Sequence, residues 1–451
     1  MTTMPPYTST TNACKLCRPL GASLAFRGIE GTVPFLHGSQ GCATYMRRYI
    51  ISHFNEPIDI ASSSLGEKHA VYGGAANLKL GLRNVTRKYA PQLIGVATTC
   101  LTETIGDDVK MIISEYEGEF HTGEGHPRIV SVSTPSYGGT HMEGFNAALQ
   151  AVAEQLTEPT APHAGVNVLP GFVSAADLRY LKEMLGDFGL SFTLFPDYAE
   201  SLDGQALNDY PLIPAGGTPL AAIRAMGGAR MTIECGATLP ERSAGSSLQR
   251  LYGTPLCRLG MPIGIRETDR LTAELAALSG RPVPERYSAA RGRLIDAMVD
   301  GHKYLSGKRA IVYGEEDLVV GLTSFLAEIG IKSVLCASGG KSGRFREAIA
   351  AVLAGLPVAL PEVREDVDFH DIEDLADNLA VDLLVGHSKG YTFARKKGIP
   401  LVRVGFPIHD RMGGQRLLHL GYHGAQALFD SVVNTLIAKK QDDSEVGYTY
   451  M

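Results

Sequence analysis

The chain has 451 residues, 44% of them hydrophobic and 20% charged, with a formal net charge of −6. That length suggests about three domains, with cores large enough to need no disulfide staple. The mild negative charge gives no electrostatic case for nucleic acid, and no 18-residue apolar run is present to span a membrane.

Residues 1–12 are polar and rich in Thr and Pro, without the basic start and apolar core of a signal peptide. They are expected to lie over a surface, in a cytoplasmic and reducing setting. The seven cysteines then read as ligands or buried thiols rather than disulfides. SLAFRG reads as a short helix, followed by a turn at Gly28 and a strand near Thr32–Leu36. HGSQGC reads as a loop. The next stretch, Ala43–His53, has helical spacing with Tyr45, Tyr49 and Ile50 on one side. A second amphipathic helix spans Ala75–Lys88. Leu93–Ala97 is continuous enough in apolar residues for a buried parallel strand, from which TTCLTETIGDDV turns into a helix. Ile129–Val132 is the next strand and ends in STPSYGGTH.

Two prolines and a glycine in TEPTAPHAG mark a boundary near Leu156–Gly165. Beyond it come a strand, a loop, a helix capped by Ser174, a stop at Gly189 and another strand, which make a βαβ unit. Short strands continue to about Ile265, and a long helical stretch, Glu285–Tyr304, leads to a third region. There KRAIVYGEEDL and VDLLVGHSKGY repeat the pattern of apolar strand, polar loop and helix. The fold class is therefore α/β, with three units of parallel sheet laid end to end: 1–160, 161–284 and 285–451. In such sheets ligands bind outside the carboxyl ends of strands. Cys42, Cys100, His387 and Ser388 all follow apolar strands.

Three cysteines carry the chemical signal. Cys17 in CRPLGA, Cys42 in HGSQGC and Cys100 in TTCLTETIGDD lie 25 and 58 residues apart, each beside Gly, Ser or Thr. This spacing does not make a short zinc clip, but loops at the ends of several strands could gather the thiolates around an iron–sulfur cluster. The same spacing also fits three buried free thiols, and three ligands are one short of the usual four, so a partner chain would have to supply the rest. Cys14 forms a CxxC with Cys17 but reads as a spare thiol. Cys235, Cys257 and Cys336 share no spacing and read as core thiols. Arg47 and Arg48 fit either an acidic partner or a solvated face. GHSKG at Gly386–Gly390 could bind a phosphate or a partner, or carry no more than a hydrogen-bonded loop histidine. SGGKSG at Ser338–Gly343 has the glycines and lysine of a phosphate loop at the wrong spacing, so any ATP hydrolysis belongs to another protein.

These motifs, with SHFNEPIDIASSS, VYGGAANLKLGL, STPSYGGTH, FPDYAESLDG and LVRVGFPIHDRMGG, resemble β-type subunits of the nitrogenase component-1 superfamily over nearly the whole chain. The resemblance implies three Rossmann-like domains with parallel sheets, the first of them cluster-binding. It implies an α-type nitrogenase-like partner in an α2β2 heterotetramer. It further implies that Cys17, Cys42 and Cys100 supply the β side of a shared P-cluster of 8Fe-7S type, with Ser136 as the serine that can ligate its oxidised form. An ATP-dependent iron protein would dock transiently and supply electrons, bound for a cofactor in the α-type partner.

Within the superfamily three subfamilies compete. The catalytic β subunit of molybdenum nitrogenase typically carries a long N-terminal extension, whereas 16 residues precede Cys17 here. The N-type scaffold of cofactor assembly has similar length and shares LAFRGIEG- and PDYAESLDG-like text, but many scaffolds lack part of the ligand set. Nitrogenase-like reductases, including methylthio-alkane reductases, have short β subunits and keep the set. A dark-operative chlorophyll-type reductase departs from this cysteine pattern. The intact set favours the relay subunit of a nitrogenase-like reductase, with the scaffold as the alternative. A brace that holds no metal would leave all three cysteines idle.

Overall fold

Apolar, β-branched runs seed three separate parallel sheets in a computed structural model that describes residues 12–120 and 125–447. Residues 1–11, expected to cover a surface, lie outside the described residues. In the first sheet, β1 (Thr32–His37), β2 (Ala61–Ser62), β3 (Leu93–Thr98) and β4 (Arg128–Val132) lie in the order β2-β1-β3-β4. The second contains β5 (His163–Leu169), β6 (Phe192–Leu194), β7 (Ala229–Cys235) and β8 (Leu256–Leu259), ordered β6-β5-β7-β8. The third contains β9 (Arg309–Tyr313), β10 (Lys332–Ala337), β11 (Glu362–Arg364), β12 (Leu383–Gly386) and β13 (Leu401–Arg403), ordered β11-β10-β9-β12-β13.

Local chemistry explains several element ends. Ser174 caps the Ala175–Asp187 helix by accepting the Asp177 N–H, and Asp177 closes the capping box. Gly189 then ends that unit at φ +69°, in the left-handed region that favours glycine. The long helix after the second sheet runs Glu285–Leu305, as its spacing predicts.

One stretch departs from expectation. HGSQGC is not a loop to its end, because the helix begins at Gln40 and runs to Phe54. Ser39 sits in extended conformation at its N-cap, so Cys42 falls in the first turn. The buried face is Ala43, Met46, Ile50, His53 and Phe54, while Tyr45 is 65% exposed. Of the expected face of Tyr45, Tyr49 and Ile50, Ile50 is buried and Tyr49 half-buried against the core, and only Tyr45 turns outward. The side chains that win are those that reach the junction of the three sheets.

That junction is aromatic. Phe406 lies edge-on to His53 and to Phe172, at centroid distances of 4.8 and 5.4 Å, and Phe172 meets Phe145 at 5.5 Å. Buried polar pairs cross between sheets beside it. His141 Nε2 lies 2.9 Å from Glu315 Oε1, and the Ile408 N–H donates to His53 Nδ1 at 2.9 Å. Burial holds His53 down near a pKa of about 3, so its imidazole is neutral and accepts that bond. Asp177 accepts the N–H groups of His419 and Leu420. These bonds join residues 174 to 355 positions apart, so the sheets are tied to one another by hydrogen bonds as well as apolar packing.

Candidate functional site

Register brings two of the cysteine segments side by side. β1 and β3 pair from Thr32 with Leu93 to His37 with Thr98, so both strands release the chain at one level. Gly38 then lies against Thr99, where a Cβ would fall 2.1 Å from the Thr99 hydroxyl. Only glycine allows these two loops to touch. The first leads into the helix that carries Cys42. The second leads through Thr99, which closes a capping box with Thr102, into a helix whose first residue is Cys100.

The loop after β4 joins Cys100 to Cys17. Thr134 donates its N–H to Thr98 Oγ1 at 2.8 Å and its hydroxyl to the Thr98 carbonyl at 2.7 Å. With that segment fixed, the Ser136 N–H donates to Cys100 Sγ at 3.2 Å. Four residues on, Thr140 forms a backbone bridge with Cys17. Cys17 is the N-cap of the Arg18–Arg27 helix, and its side chain makes no capping bond. This helix crosses the His141–Leu156 helix at backbone contact, since a Cβ on Gly21 would fall 1.6 Å from the His141 carbonyl oxygen.

All three thiols thus sit at helix N-termini: Cys17 is an N-cap, Cys42 lies in a first turn and Cys100 is a first residue. Cys17 is exposed and Cys42 and Cys100 are half-buried. Ser39 donates its hydroxyl to Cys42 Sγ at 3.4 Å, as the Ser136 amide does to Cys100. Among the described residues no three His, Cys, Asp or Glu side chains close a complete metal-ligand set. Cys100 and Ser136 are in direct contact. Cys42 and Cys17 are brought to them through Gly38–Thr99 and through the 134–140 loop.

The other thiols behave differently. Cys14 packs into the third sheet with Sγ 3.7 Å from His387 Nε2, and burial pushes its pKa up to about 12. Cys235 and Cys336 are buried and pushed up likewise to about 12, and burial also raises the half-buried Cys257. Arg47 turns back on its own chain, donating to the Ile58 carbonyl at 2.7 Å and lying 3.3 Å from Asp59.

The layer behind the thiols went unread in the sequence. His37 Nδ1 lies 2.9 Å from Ser63 Oγ and its Nε2 3.0 Å from Asp107 Oδ2. Asp107 in turn accepts the Gly74 N–H. Burial lowers the His37 pKa, against the pull of Asp107. His37 and Asp107 are the first residue of HGSQGC and a late residue of TTCLTETIGDD, so the quoted motifs contain this brace. Polar residues at strand ends beside cysteines were the available signal.

Parallel sheets, helix-terminal thiols and an open ligand set define the class as an α/β subunit with a thiol site left open at its surface. Comparison with known proteins makes that specific. Residues 17–437 match the family described as nitrogenase component 1 type oxidoreductase, and the chain belongs to it. The nitrogenase molybdenum-iron protein beta chain of Clostridium pasteurianum is 35% identical over 429 residues, 95% of this chain and 93% of that one. Its counterpart from Azotobacter vinelandii is 33% identical over 452 residues, 96% of this chain and 86% of that one. A solved structure described as nitrogenase Cp1 at pH 6.5 superimposes with a TM-score of 0.95 at 34% identity, covering 99% of this chain and 98% of that one. The chain is thus a β-type subunit of a nitrogenase-family oxidoreductase. Among the described residues no helix is long and apolar enough to cross a membrane.

Proposed function

We propose that this chain is the electron-relay subunit of a nitrogenase-like reductase, with Cys17, Cys42 and Cys100 as its share of the ligands to a P-cluster-type iron–sulfur cluster. Ser136 is the further ligand of the oxidised form. In this reading an α-type subunit completes the ligand set in an α2β2 heterotetramer, an ATP-dependent iron protein docks transiently, and the chain divides at 1–160, 161–284 and 285–451. The donor set supports it: three thiols without disulfides sit at helix N-termini, and two of them accept hydrogen bonds from Ser39 and Ser136. Cluster thiolates and sulfides are tuned by such bonds and by burial. When bound, a cluster of this kind supplies one-electron transfer. The chain's own part is to ligate, to donate hydrogen bonds to sulfur through Ser39 and Ser136, and to brace the Cys42 loop through His37, Ser63 and Asp107.

For the substrate we favour a methylthio-alkane reductase, on the intact ligand set. A second reading, a molybdenum-iron-type chain, draws on the relatives' names. It also draws on length, since the Clostridium relative is matched over 93% of its own length and so lacks a long extension to set it apart. The third reading, an N-type scaffold for cofactor assembly, shares the fold and pairs with the same kind of partner.

The test uses the anaerobically purified complex with its native partner. Iron content and electron paramagnetic resonance are measured in reduced and mildly oxidised states, for the native complex and for Cys42→Ala. Iron protein and ATP are then added with ethyl methyl sulfide, with dinitrogen, or with an apo-nitrogenase. ATP-dependent hydrocarbon release supports the favoured reading, ammonia the second, and transfer of a precursor to the apo-nitrogenase the scaffold. Unchanged iron in the Cys42→Ala complex would overturn the ligand assignment.

A further inference from the structure

A cavity of about 540 Å³ opens where the strand ends of the three sheets converge, and it adjoins Cys17 through Arg18 and Thr140. Its walls are Arg18 and Glu143 from the crossed helices of the first sheet, the loop after β7 with Arg242, the Glu315–Asp317 turn after β9, and the Ser338–Ser342 loop after β10. Crevices of this kind, outside the carboxyl ends of parallel strands, are where such folds take ligands.

Acids and bases on the wall differ in how far the chain satisfies them. Glu143 accepts the Thr140 N–H at 2.8 Å, and Glu315 meets His141 Nε2 at 2.9 Å. Asp317 accepts the N–H groups of Ala237 and Thr238 at 2.6 and 2.7 Å. Glu316 is 7% exposed, accepts the Ser342 N–H at 3.1 Å on one oxygen, and leaves the other buried without a partner. Burial raises its pKa to about 7, so a good part of it is neutral at physiological pH and able to donate a proton in a hydrogen bond.

The bases are less well matched. Among the described residues neither Arg18 nor Arg242 has a carboxylate at ion-pair distance, and the Arg18 Nε is buried with no acceptor. Lys15 and Lys341 share a single carboxylate, Asp366, at 2.9 and 3.7 Å. Arg344 is held by Glu241 and the Leu239 carbonyl. Arg18 and Arg242 thus line the cavity without a counter-charge, and an oxyanion is the group that matches a guanidinium's geometry.

We propose that this cavity binds a small oxyanion carrying at least two negative charges, gripped by Arg18, Arg242 and Lys341 beside the free edge of Glu316. Lys341 comes from SGGKSG, the segment that fails as a nucleotide loop. The structure shows why that failure matters. The N–H groups of Ser342 and Gly343 are already taken by Glu316 and Glu365, so side chains rather than a backbone cradle meet the ligand. The site adjoins Cys17 through Arg18, but none of its three bases is a ligand in the cluster assignment.

The experiment is calorimetric titration of the dialysed, anaerobic α/β complex with sodium malonate and with inorganic phosphate, each against sodium chloride of matched ionic strength. One saturable site per β-type chain is expected for at least one anion. Malonate alone identifies a carboxylate ligand, and phosphate alone a phosphate-bearing one. Arg242→Gln and Lys341→Gln should each weaken binding about tenfold or more, the loss of a charge-assisted hydrogen bond. Neither is a candidate cluster ligand, and iron content confirms that each variant is intact. No saturable binding of either anion, or affinity unchanged in both variants, overturns the proposal.

Discussion

Two loops of similar composition leave buried parallel strands: HGSQGC after β1 and GHSKG after β12. In the first, both ring nitrogens of His37 are engaged, by Ser63 and Asp107, and the chain runs on into a helix that presents a half-buried cysteine. In the second, His387 has no partner at Nδ1 among the described residues, faces Cys14 at 3.7 Å, and lies edge-on to Tyr313 and Phe369. Ser388 is closed by the Pro407 carbonyl, to which its hydroxyl donates at 3.0 Å. The strand-loop-helix pattern places both loops at a sheet's carboxyl edge. What covers them decides whether they meet ligands. Aromatic rings seal the second, and the first is left open.

The largest expected effect breaks this comparison at its thiols. In the purified complex, Cys42→Ala or Cys100→Ala should lose most of the interface iron, whereas Cys14→Ala, beside the sealed loop, should keep it. Equal iron in all three would erase the distinction drawn between the loops.

Next comes acid sensitivity. Burial holds His387 near a pKa of about 4, against the pull of Glu315 and with Lys389 and His141 reinforcing it. An unfolded histidine titrates near 6.5, so below that pH the unfolded chain takes the proton first. Stability from this group is full above about pH 6.5 and falls as the pH drops toward 4, by on the order of 3 kcal/mol. His53 adds the same sign. Thermal melting of His387→Gln across pH 4 to 7 should therefore show a shallower, but not flat, dependence. An unaltered slope would mean that His387 does not stay neutral on folding.

Packing gives a smaller contrast. A Cβ on Gly390 would fall 2.1 Å from the Tyr313 hydroxyl oxygen, whereas one on Gly41 meets nothing within 4 Å. Gly390→Ala should cost about 1–3 kcal/mol by denaturant unfolding. Gly41→Ala, inside a helix, should be neutral or stabilising by up to about 1 kcal/mol. The smallest effect belongs to Ser136→Ala, which keeps the N–H that donates to Cys100. Iron content should hold, with the change confined to the resonance signal of the oxidised cluster. Substantial iron loss would mean that the hydroxyl, not the amide, is the essential group.

Much of this arrangement was legible in the sequence where one element settles its own fate. Leu93–Ala97 could only be a buried strand, Ser174 announced its helix, and Gly189 its stop. The cysteine segments were legible as a group because each interrupts an apolar pattern with glycine or hydroxyl residues. The Cys42 helix was misjudged in its start and in Tyr45, because periodicity did not show that His53 would be drawn to the aromatic junction. Nor could any local pattern reveal His141 with Glu315, or Ile408 with His53. Those pairs depend on how separate sheets dock, and docking is written in residues hundreds of positions apart.

The segment leading to Cys17 is fastened to the far end of the chain. Ala13 bridges Asp368, the Phe369 N–H donates to the Asn12 carbonyl, and Lys15 pairs with Asp366. A chain made from its N-terminus leaves the ribosome with Cys17 first and residue 369 among the last. Cys42, Cys100 and Cys17, the last bridged to Thr140, take their places with the first sheet, but the stretch from Asn12 to Lys15 must wait for residues 366–369. The thiol set can thus be laid out early, while the strap just ahead of it is fastened only when the third sheet is made.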